Sequence, residues 1–327
     1  MIKISVSQND ANQRLDKFLK KYLRNAPLSH IYKLIRKDVK VNGKREDPKR
    51  TLYPGDEIII YMTEEDEKAM SGARAVVRQK PQFEIAYEDK NMLIAEKPLG
   101  LLVHGSALEK KKTLANQVAG YLFEKGEFDP GDKTFSPSPV NRLDRNTTGL
   151  VIFGKTGQAL KSLNQMMKEK NRVKKYYLTV VSGEIKKDMT LRGRLEKDQN
   201  KNMVNIQDGG PAGKEIETKV RVLDRAKGFT FIEVELVTGR THQIRAHLAH
   251  AGYPVIGDAK YGNRQVNQKI GKNYSLTTQF LHAGRLRFDD MVPYFSYMAG
   301  REVKAELPKE FEKIVAAIFG GNDRRNS

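Results

Sequence analysis

The apolar residues of this chain change their period along its length, and that change bounds its architecture. In RLDKFLKKYLR, residues 14–24, Leu15, Phe18, Leu19, Tyr22 and Leu23 recur at i, i+3, i+4, i+7 and i+8, the stripe of an amphipathic helix. Pro27 closes the connection, and Ser29 is placed to cap a second helix, SHIYKLIRKD, with Ile31, Leu34 and Ile35 inward. VKVNGKR then carries Asn42-Gly43, a hairpin turn pair, and YPGDEIIIY reads as a turn leading into a short strand. Further on the period shortens to two: KYYLTVVSG and FTFIEVELV alternate as strands do. KTGQALKSLNQMMKEK (155–170) and EFEKIVAAIF return to helical spacing. Strands in runs, with helices in no strict alternation, specify an α+β chain and not a doubly wound parallel sheet.

The boundaries follow from shifts in character. Residues 1–62 form a small, markedly basic unit. Residues 63–80, TEEDEKAMSGARAVVRQK, are polar, mixed in charge and aperiodic, as expected of a linker. Residues 81–319 are a second domain, and 320–327, GGNDRRNS, a disordered tail. A total of 327 residues, 39% hydrophobic and 30% charged, is ample for buried cores. No apolar run reaches the length of a membrane span, and MIKISVSQNDANQ lacks the apolar core of a signal peptide. Cysteine is absent, which removes disulfides and thiol chemistry. Together these favour the cytoplasm. A net charge of +19 favours a polyanionic partner, nucleic acid first. A membrane surface ranks lower, because no free-standing amphipathic helix presents a bulky apolar face.

Three stretches could carry chemistry. In SPVNRLDRNTTGL, residues 138–150, one carboxylate, Asp144, stands between Arg142 and Arg145 ahead of the apolar run LVIF. An Asp in a turn often bonds its own backbone; an isolated, positioned carboxylate can also be a nucleophile. In VKKYYLTVVSG, residues 173–183, alternation sends Lys175, Tyr177 and Thr179 to one side and Tyr176 and Leu178 to the other, so one tyrosine can be core while the other faces a site. In ELVTGRTHQIRAHLAHAGYPVIGDAKYG, residues 235–262, Thr241 is placed to cap a helix that Gly252 ends before Pro254. Arg240 and Arg245 then lie near the helix start, where guanidiniums suit phosphates or a buried carboxylate. His242, His247 and His250 match no metal-ligand spacing and lack a close acidic partner, so no metal is expected. KPLGLLVHGS and QDGGPAG match neither a dinucleotide nor a P-loop fingerprint, and no GxSxG elbow is present.

These blocks, taken in order, resemble an RluA-type pseudouridine synthase, of the branch that modifies large-subunit ribosomal RNA and carries an N-terminal S4 RNA-binding domain. RLDKFLKKYL, SHIYKLIRKDVKVNGKR and YPGDEI are similar to the S4 module. YEDKNMLIAEKPLGLLVHGS resembles the opening strands of the catalytic domain, and NRLDRNTTGL its HRLDxxTSGL. KKYYLTV matches KxYxAxV, and VTGRTHQIRAHLAHAGYPVIGDAKYG and LHAGRLRF match two further blocks. The resemblance implies a mixed, mainly antiparallel sheet with flanking helices behind a small helical-hairpin RNA-binding domain. It implies that Asp144, Tyr177 and Arg245 are catalytic, Tyr177 and not Tyr176 being the active-site tyrosine and Arg245 the partner of Asp144. Arg142 then fills the RNA stack left by the departing uridine, and Thr148, Arg240 and His242 contact substrate. Arg14, Lys17, Lys33, Arg36, Lys37, Lys40 and Lys44 become the RNA-binding face of the basic unit. The sequence departs from the pattern at Asn141 for His, Thr148 for Ser and Thr179 for Ala. The implied reaction turns uridine into pseudouridine without gain or loss of atoms, so neither cofactor nor metal is expected. The partner is RNA, ribosomal RNA first, and the protein a monomer. The alternatives are the same reaction on transfer RNA, or a non-catalytic RNA-binding protein of ribosome assembly.

Overall fold

A computed structural model describes residues 1–72, 80–105, 109, 111–169, 172–198 and 203–320. Its N-terminal part runs β1 (Ile2–Ser5), α1 (Leu15–Tyr22), α2 (Leu28–Lys37), β2 (Val39–Val41), β3 (Glu57–Ile60) and α3 (Glu64–Ser71). The strands form an antiparallel sheet in the order β1-β3-β2. The stripe expected on the first two helices is the buried one: Leu15, Phe18, Leu19, Ile31 and Ile35 share a core with Val39, Val41, Ile58 and Ile60. Each such side chain, fully buried, contributes about 1.5–3 kcal/mol.

Local details differ from the sequence reading in three places. Helix α2 begins at Leu28 with Pro27 as its N-cap, so Ser29 lies inside the first turn and caps nothing; the fixed, extended Pro27 backbone sets the start. Asn42 and Gly43 both adopt positive φ, as a primed hairpin turn requires. Only a single bridge, Val41 to Lys44, follows the turn, however, and β2 pairs instead with β3. The polar run after Gly43 has no apolar alternation to extend a strand. Residues 64–71, expected to be linker, form helix α3. Thr63 Oγ1 accepts the Asp66 N–H at 3.0 Å, and four acidic residues occupy the first turn, where they oppose the helix dipole. Met70 packs against the N-terminal core.

The remainder contains β4 (Glu84–Glu88), β5 (Met92–Lys97), α4 (Leu114–Glu124), β6 (Ser138–Pro139), β7 (Thr148–Gly154), α5 (Gly157–Lys168), β8 (Val173–Ser182), β9 (Met189–Asp198), β10 (Met203–Gln207), β11 (Lys214–Ala226) and β12 (Phe229–Leu236), followed by α6 (Gln243–His250), α7 (Arg264–Tyr274), β13 (Leu281–Phe288), a 3-10 turn (Pro293–Met298), β14 (Glu302–Lys304) and α8 (Lys309–Phe319). One large mixed sheet runs β10-β9-β11-β12-β8-β13-β7-β5-β4, with β14 beside β13 and β6 beside β7. Among its pairings only β13 with β7 is parallel. Central strands are apolar on both sides because both sheet faces are covered. Leu93, Ala95, Val151 and Phe153 pack toward α4, while Met92, Ile94, Leu150 and Ile152 pack toward α5. Of the tail expected over 320–327, Gly320 is the C-cap of α8, its N–H bonded to the Ala316 carbonyl, and 321–327 lie outside the described residues.

The N-terminal part is seated on this sheet layer. Asn9 Oδ1 accepts the Gly157 N–H at 3.2 Å, and Lys161 Nζ donates to the Asn12 carbonyl at 2.9 Å. Lys133 forms an ion pair with the buried Glu67 and lies 5.2 Å from the Tyr22 ring centre. A methyl group on Gly157 would lie 2.3 Å from the Asn9 carbonyl oxygen, so the close approach depends on glycine.

Candidate active site

Asp144 lies on the loop that joins β6 to β7, and the sheet pins both ends of that loop. At its entrance the Asn141 amide donates to the Leu150 carbonyl at 3.2 Å and accepts the Ile152 N–H at 2.8 Å. Asn141, the departure from the family pattern, is thus a clamp onto β7. At the exit Thr148 is buried and donates to His282 Nδ1 at 2.8 Å, while His282 Nε2–H donates to the Ala305 carbonyl at 3.1 Å. Gly149, with φ of 106°, lets β13 come this close: a Cβ there would sit 2.3 Å from the Ala283 carbonyl oxygen. Within the loop, the Thr147 N–H bonds the Asp144 carbonyl at 3.0 Å. From below, Lys97 Nζ donates to the carbonyls of Pro98, Leu101 and Arg145 at 3.0, 2.9 and 2.9 Å. Burial pushes Lys97 down to about 7 against the pull of Asp144; its three carbonyl partners match the three protons of an ammonium.

The partner of Asp144 comes from α6. Arg245 Nη1 donates to Asp144 Oδ2 at 2.8 Å. The rest of the same guanidinium forks onto a second carboxylate, with Nε to Asp258 Oδ2 at 2.6 Å and Nη2 to Asp258 Oδ1 at 2.8 Å. The Asp258 side chain is 0% exposed and that of Asp144 26%. Burial opposes the Arg245 charge, but the two carboxylates outweigh it and hold the guanidinium above its usual range. Burial likewise opposes the charge of Asp258, and Arg245 outweighs it, keeping that carboxyl below its usual range. Asp258 therefore neutralises and aims Arg245, and Arg245 presents its remaining edge to Asp144.

Tyr177 stands on β8 where alternation placed it, buried, with Tyr176 on the opposite face. Burial, and then the Asp144 charge, raise the Tyr177 phenol. Tyr176 instead stacks under Arg285 at 3.8 Å, beside a depression of about 450 Å³ that does not include Asp144. Arg142, Asp144, Tyr177, Arg240, His242 and Arg245 all line one cleft, floored by Leu143, Leu236, Ile244 and Leu281. Thr148 is not among its lining residues. Its hydroxyl is engaged by His282, so it anchors the loop where substrate contact was expected.

The helix that carries Arg245 starts one residue later than expected. His242, not Thr241, is its N-cap, in left-handed conformation at φ 54°, and no side chain caps it. Gln243 ties the preceding turn instead. Its amide donates to the Glu217 carbonyl and Thr218 Oγ1 at 3.1 Å each, and its oxygen accepts from Arg240 N and the Thr238 hydroxyl. The histidines do not gather. His242 bonds Tyr261, His247 bonds Thr218 and His250 bonds Asp208, and among the described residues no group of three acidic or histidine side chains could hold a metal ion. No described helix is long and apolar enough to cross a membrane.

In the basic N-terminal part, Lys17, Lys33, Arg36, Lys37 and Lys44 are exposed. Arg14 is tied to Asp16, and Lys40 lies over the Tyr61 ring at 5.5 Å. Three site residues escaped the sequence reading. Asp258 and Lys97 lay inside quoted blocks, GDAKYG and AEKPLG, but only the fold brings them to Arg245 and the Asp144 loop. His282 lay in LHAG, where a lone histidine in an apolar strand was the available signal.

A family model described as RNA pseudouridylate synthase matches residues 91–250. The ribosomal large subunit pseudouridine synthase C of Vibrio parahaemolyticus is 31% identical over 330 residues, covering 98% of this chain and 97% of the relative. Proteins of the same name from Salmonella typhi and Escherichia coli K12 are 34% and 33% identical over 296 residues, 87% of this chain and 88% of theirs. Two solved human structures, RNA Pseudouridylate Synthase Domain Containing 1 and Domain Containing 4, share the fold at 21% identity. Their TM-scores are 0.51 and 0.53, over 73% and 71% of this chain and 97% and 91% of theirs. A likeness that spans nearly the whole chain, and whose family match contains the Asp144 loop, Tyr177 and Arg245, makes this protein a member of the RNA pseudouridylate synthase family.

Proposed function

We propose that this enzyme isomerises uridine to pseudouridine in large-subunit ribosomal RNA. The observation that carries the reading is the Asp144–Arg245–Asp258 array, which faces a single apolar-floored cleft also lined by Tyr177. The substrate class is supported by the near-full-length relatives that bear that name. The N-terminal part acts as an S4-like RNA-binding domain whose exposed lysines and arginines supply phosphate contacts independent of sequence. A monomer acting in the cytoplasm suffices for this chemistry.

The target uridine leaves its stack, at a cost of a few kcal/mol, and enters the cleft. Arg142, exposed at the rim, occupies the gap. The Asp144 carboxylate, with Oδ2 held by Arg245, acts on the ribose or the base to open the N1–C1′ bond. The base turns, C1′ joins C5, the C5 proton leaves and N1 gains one, so atoms balance without an oxidant or a second substrate. Tyr177 mediates the C5 proton loss or stacks on the turning base. The test is tritium release from C5-labelled uridine in RNA, with pseudouridine mapping in cells with and without the protein. Asp144→Asn is expected to abolish release while RNA affinity falls less than about tenfold. Undiminished release by that variant, or lost pseudouridines found only in transfer RNA, overturns the reading.

A further inference from the structure

His242 holds an uncommon conformation for a reason the reaction has not yet used. A non-glycine residue at positive φ persists only where its surroundings over-determine it. Here Tyr261 holds the side chain: its phenol oxygen lies 3.0 Å from His242 Nδ1, with the rings edge-on at 5.7 Å. The same oxygen accepts the Val204 backbone N–H at 2.9 Å. A backbone amide can only donate, so the phenol's accepting side faces Val204 and its own proton is free for the imidazole. With Nδ1 as its acceptor, the ring proton of the neutral imidazole sits on Nε2, the assignment on which the proposal below rests. Nε2 faces Asp144 Oδ1 at 3.9 Å, too far for a hydrogen bond but aimed at the one Asp144 oxygen that Arg245 does not hold.

The incoming base needs a donor there. A uracil in this cleft brings two carbonyl oxygens away from water, and leaving them unpaired costs about 1–3 kcal/mol each. When the N1–C1′ bond opens, negative charge spreads onto those oxygens. Two of the other donors that line the cleft are committed elsewhere: Gln243 makes its hydrogen bonds to the backbone and to Thr218 and Thr238, and Arg245 forks between Asp144 and Asp258. We propose that Tyr261 locks His242 as its Nε2–H tautomer, a neutral donor that hydrogen-bonds a carbonyl oxygen of the target uracil and stabilises the charge developing on it. Neutrality matters, because a second cation facing Asp144 would pair with the carboxylate instead of leaving it free to react. This rests on the proposed reaction and adds a recognition residue and its positioning partner.

The test uses the full-length protein with ¹⁵N-labelled histidine. Long-range ¹H–¹⁵N spectra are expected to show a pyridine-type Nδ1 and a pyrrole-type Nε2 for His242, assigned by its loss in His242→Asn. Tyr261→Phe is expected to mix the tautomers and lower kcat at least tenfold, with KM for RNA changed less than about threefold. His242→Gln places an amide nitrogen where Nε2 was, and His242→Asn only where Nδ1 was. Gln is therefore expected to retain about tenfold more activity than Asn, although Asn suits the left-handed backbone better, an order that a purely structural role reverses. An Nδ1–H tautomer in the wild type, or a Tyr261→Phe enzyme with unchanged kcat, overturns the proposal. If the wild type shows the Nε2–H tautomer but forms no pseudouridine in any RNA, the reaction assignment fails, and this inference with it.

Discussion

Asp144 and Asp258 grip the same arginine, yet they should answer substitution in opposite ways. Asp258→Asn keeps the shape and removes the charge. The buried carboxylate now accepts from Arg245 Nε and Nη2 and from the backbone N–H groups of Lys260 and Tyr261. Oδ1 serves three of these donors and Oδ2 the fourth. An asparagine can put its oxygen at the Oδ1 position, but its NH₂ then faces Arg245 Nε, donor against donor. Breaking one side of a buried charge pair costs about 3–5 kcal/mol. At roughly 2–4 °C per kcal/mol for domains of this size, the melting temperature should fall by about 10 °C. Freed from its fork, Arg245 no longer aims at Asp144, and a displacement of about 1 Å at such a group lowers turnover on the order of a hundredfold. Asp144→Asn leaves that fork intact and removes one partly exposed contact, so it should cost about 1 kcal/mol or less while turnover disappears. Thermal melts followed by circular dichroism, paired with tritium release, read both quantities. If Asp258→Asn melts with the wild type, or keeps full turnover, then Asp258 does not position Arg245 and the account of the array is wrong.

Other consequences are open to direct measurement. Lys97→Met keeps the apolar stem but strands three carbonyls; turnover should drop at least about tenfold with the fold retained, and an unchanged rate would remove Lys97 as a support of the Asp144 loop. Gly157→Leu drives a side chain into the Asn9 carbonyl without harming α5, where glycine is the weaker helix former; X-ray scattering should report a larger radius of gyration, and an unchanged one counts against the docked N-terminal part. Removing residues 1–72 should lower the slope of log affinity against log salt by roughly two to three if three phosphate contacts go; an equal slope with lost turnover at saturating RNA would make that part a piece of the active site. Burial, then the neighbouring His250, push His247 down to about 4 from 6.5. The unfolded chain thus binds the extra proton between those values, so stability present above pH 6.5 should be lost as pH falls toward 4. Melting curves of His247→Gln should show a shallower acid decline, and parallel curves refute the assignment.

What the sequence disclosed, and what it hid, follows from the range of each interaction. Periodicity located α1, α2, α5 and α8 because the burial that stabilises them repeats within a few residues of chain. The same local rule separated Tyr177 from Tyr176, since a strand cannot turn neighbours to one face. It failed for α3, whose hydrophobic contribution is slight and whose signal was the T-x-x-D cap at Thr63. It failed for Thr241 because the helix starts at a left-handed His242, whose side chain is held by Tyr261, nineteen residues away. Asp144 was legible only through the motif around it; nothing in NRLDRN says that its partner lies 101 residues on. Asp258 was the least legible, because its role exists only after α6 has folded over the loop that precedes α7. A buried carboxylate without Arg245 would be among the costliest groups in the molecule, and Arg245 without Asp258 would lose the two hydrogen bonds that fork its guanidinium. The pair therefore has to form as the helix docks. Once formed, it leaves a single guanidinium edge pointing into the cleft, and that edge, more than any property of the motif itself, is what turns an aspartate in a basic turn into a placed reagent.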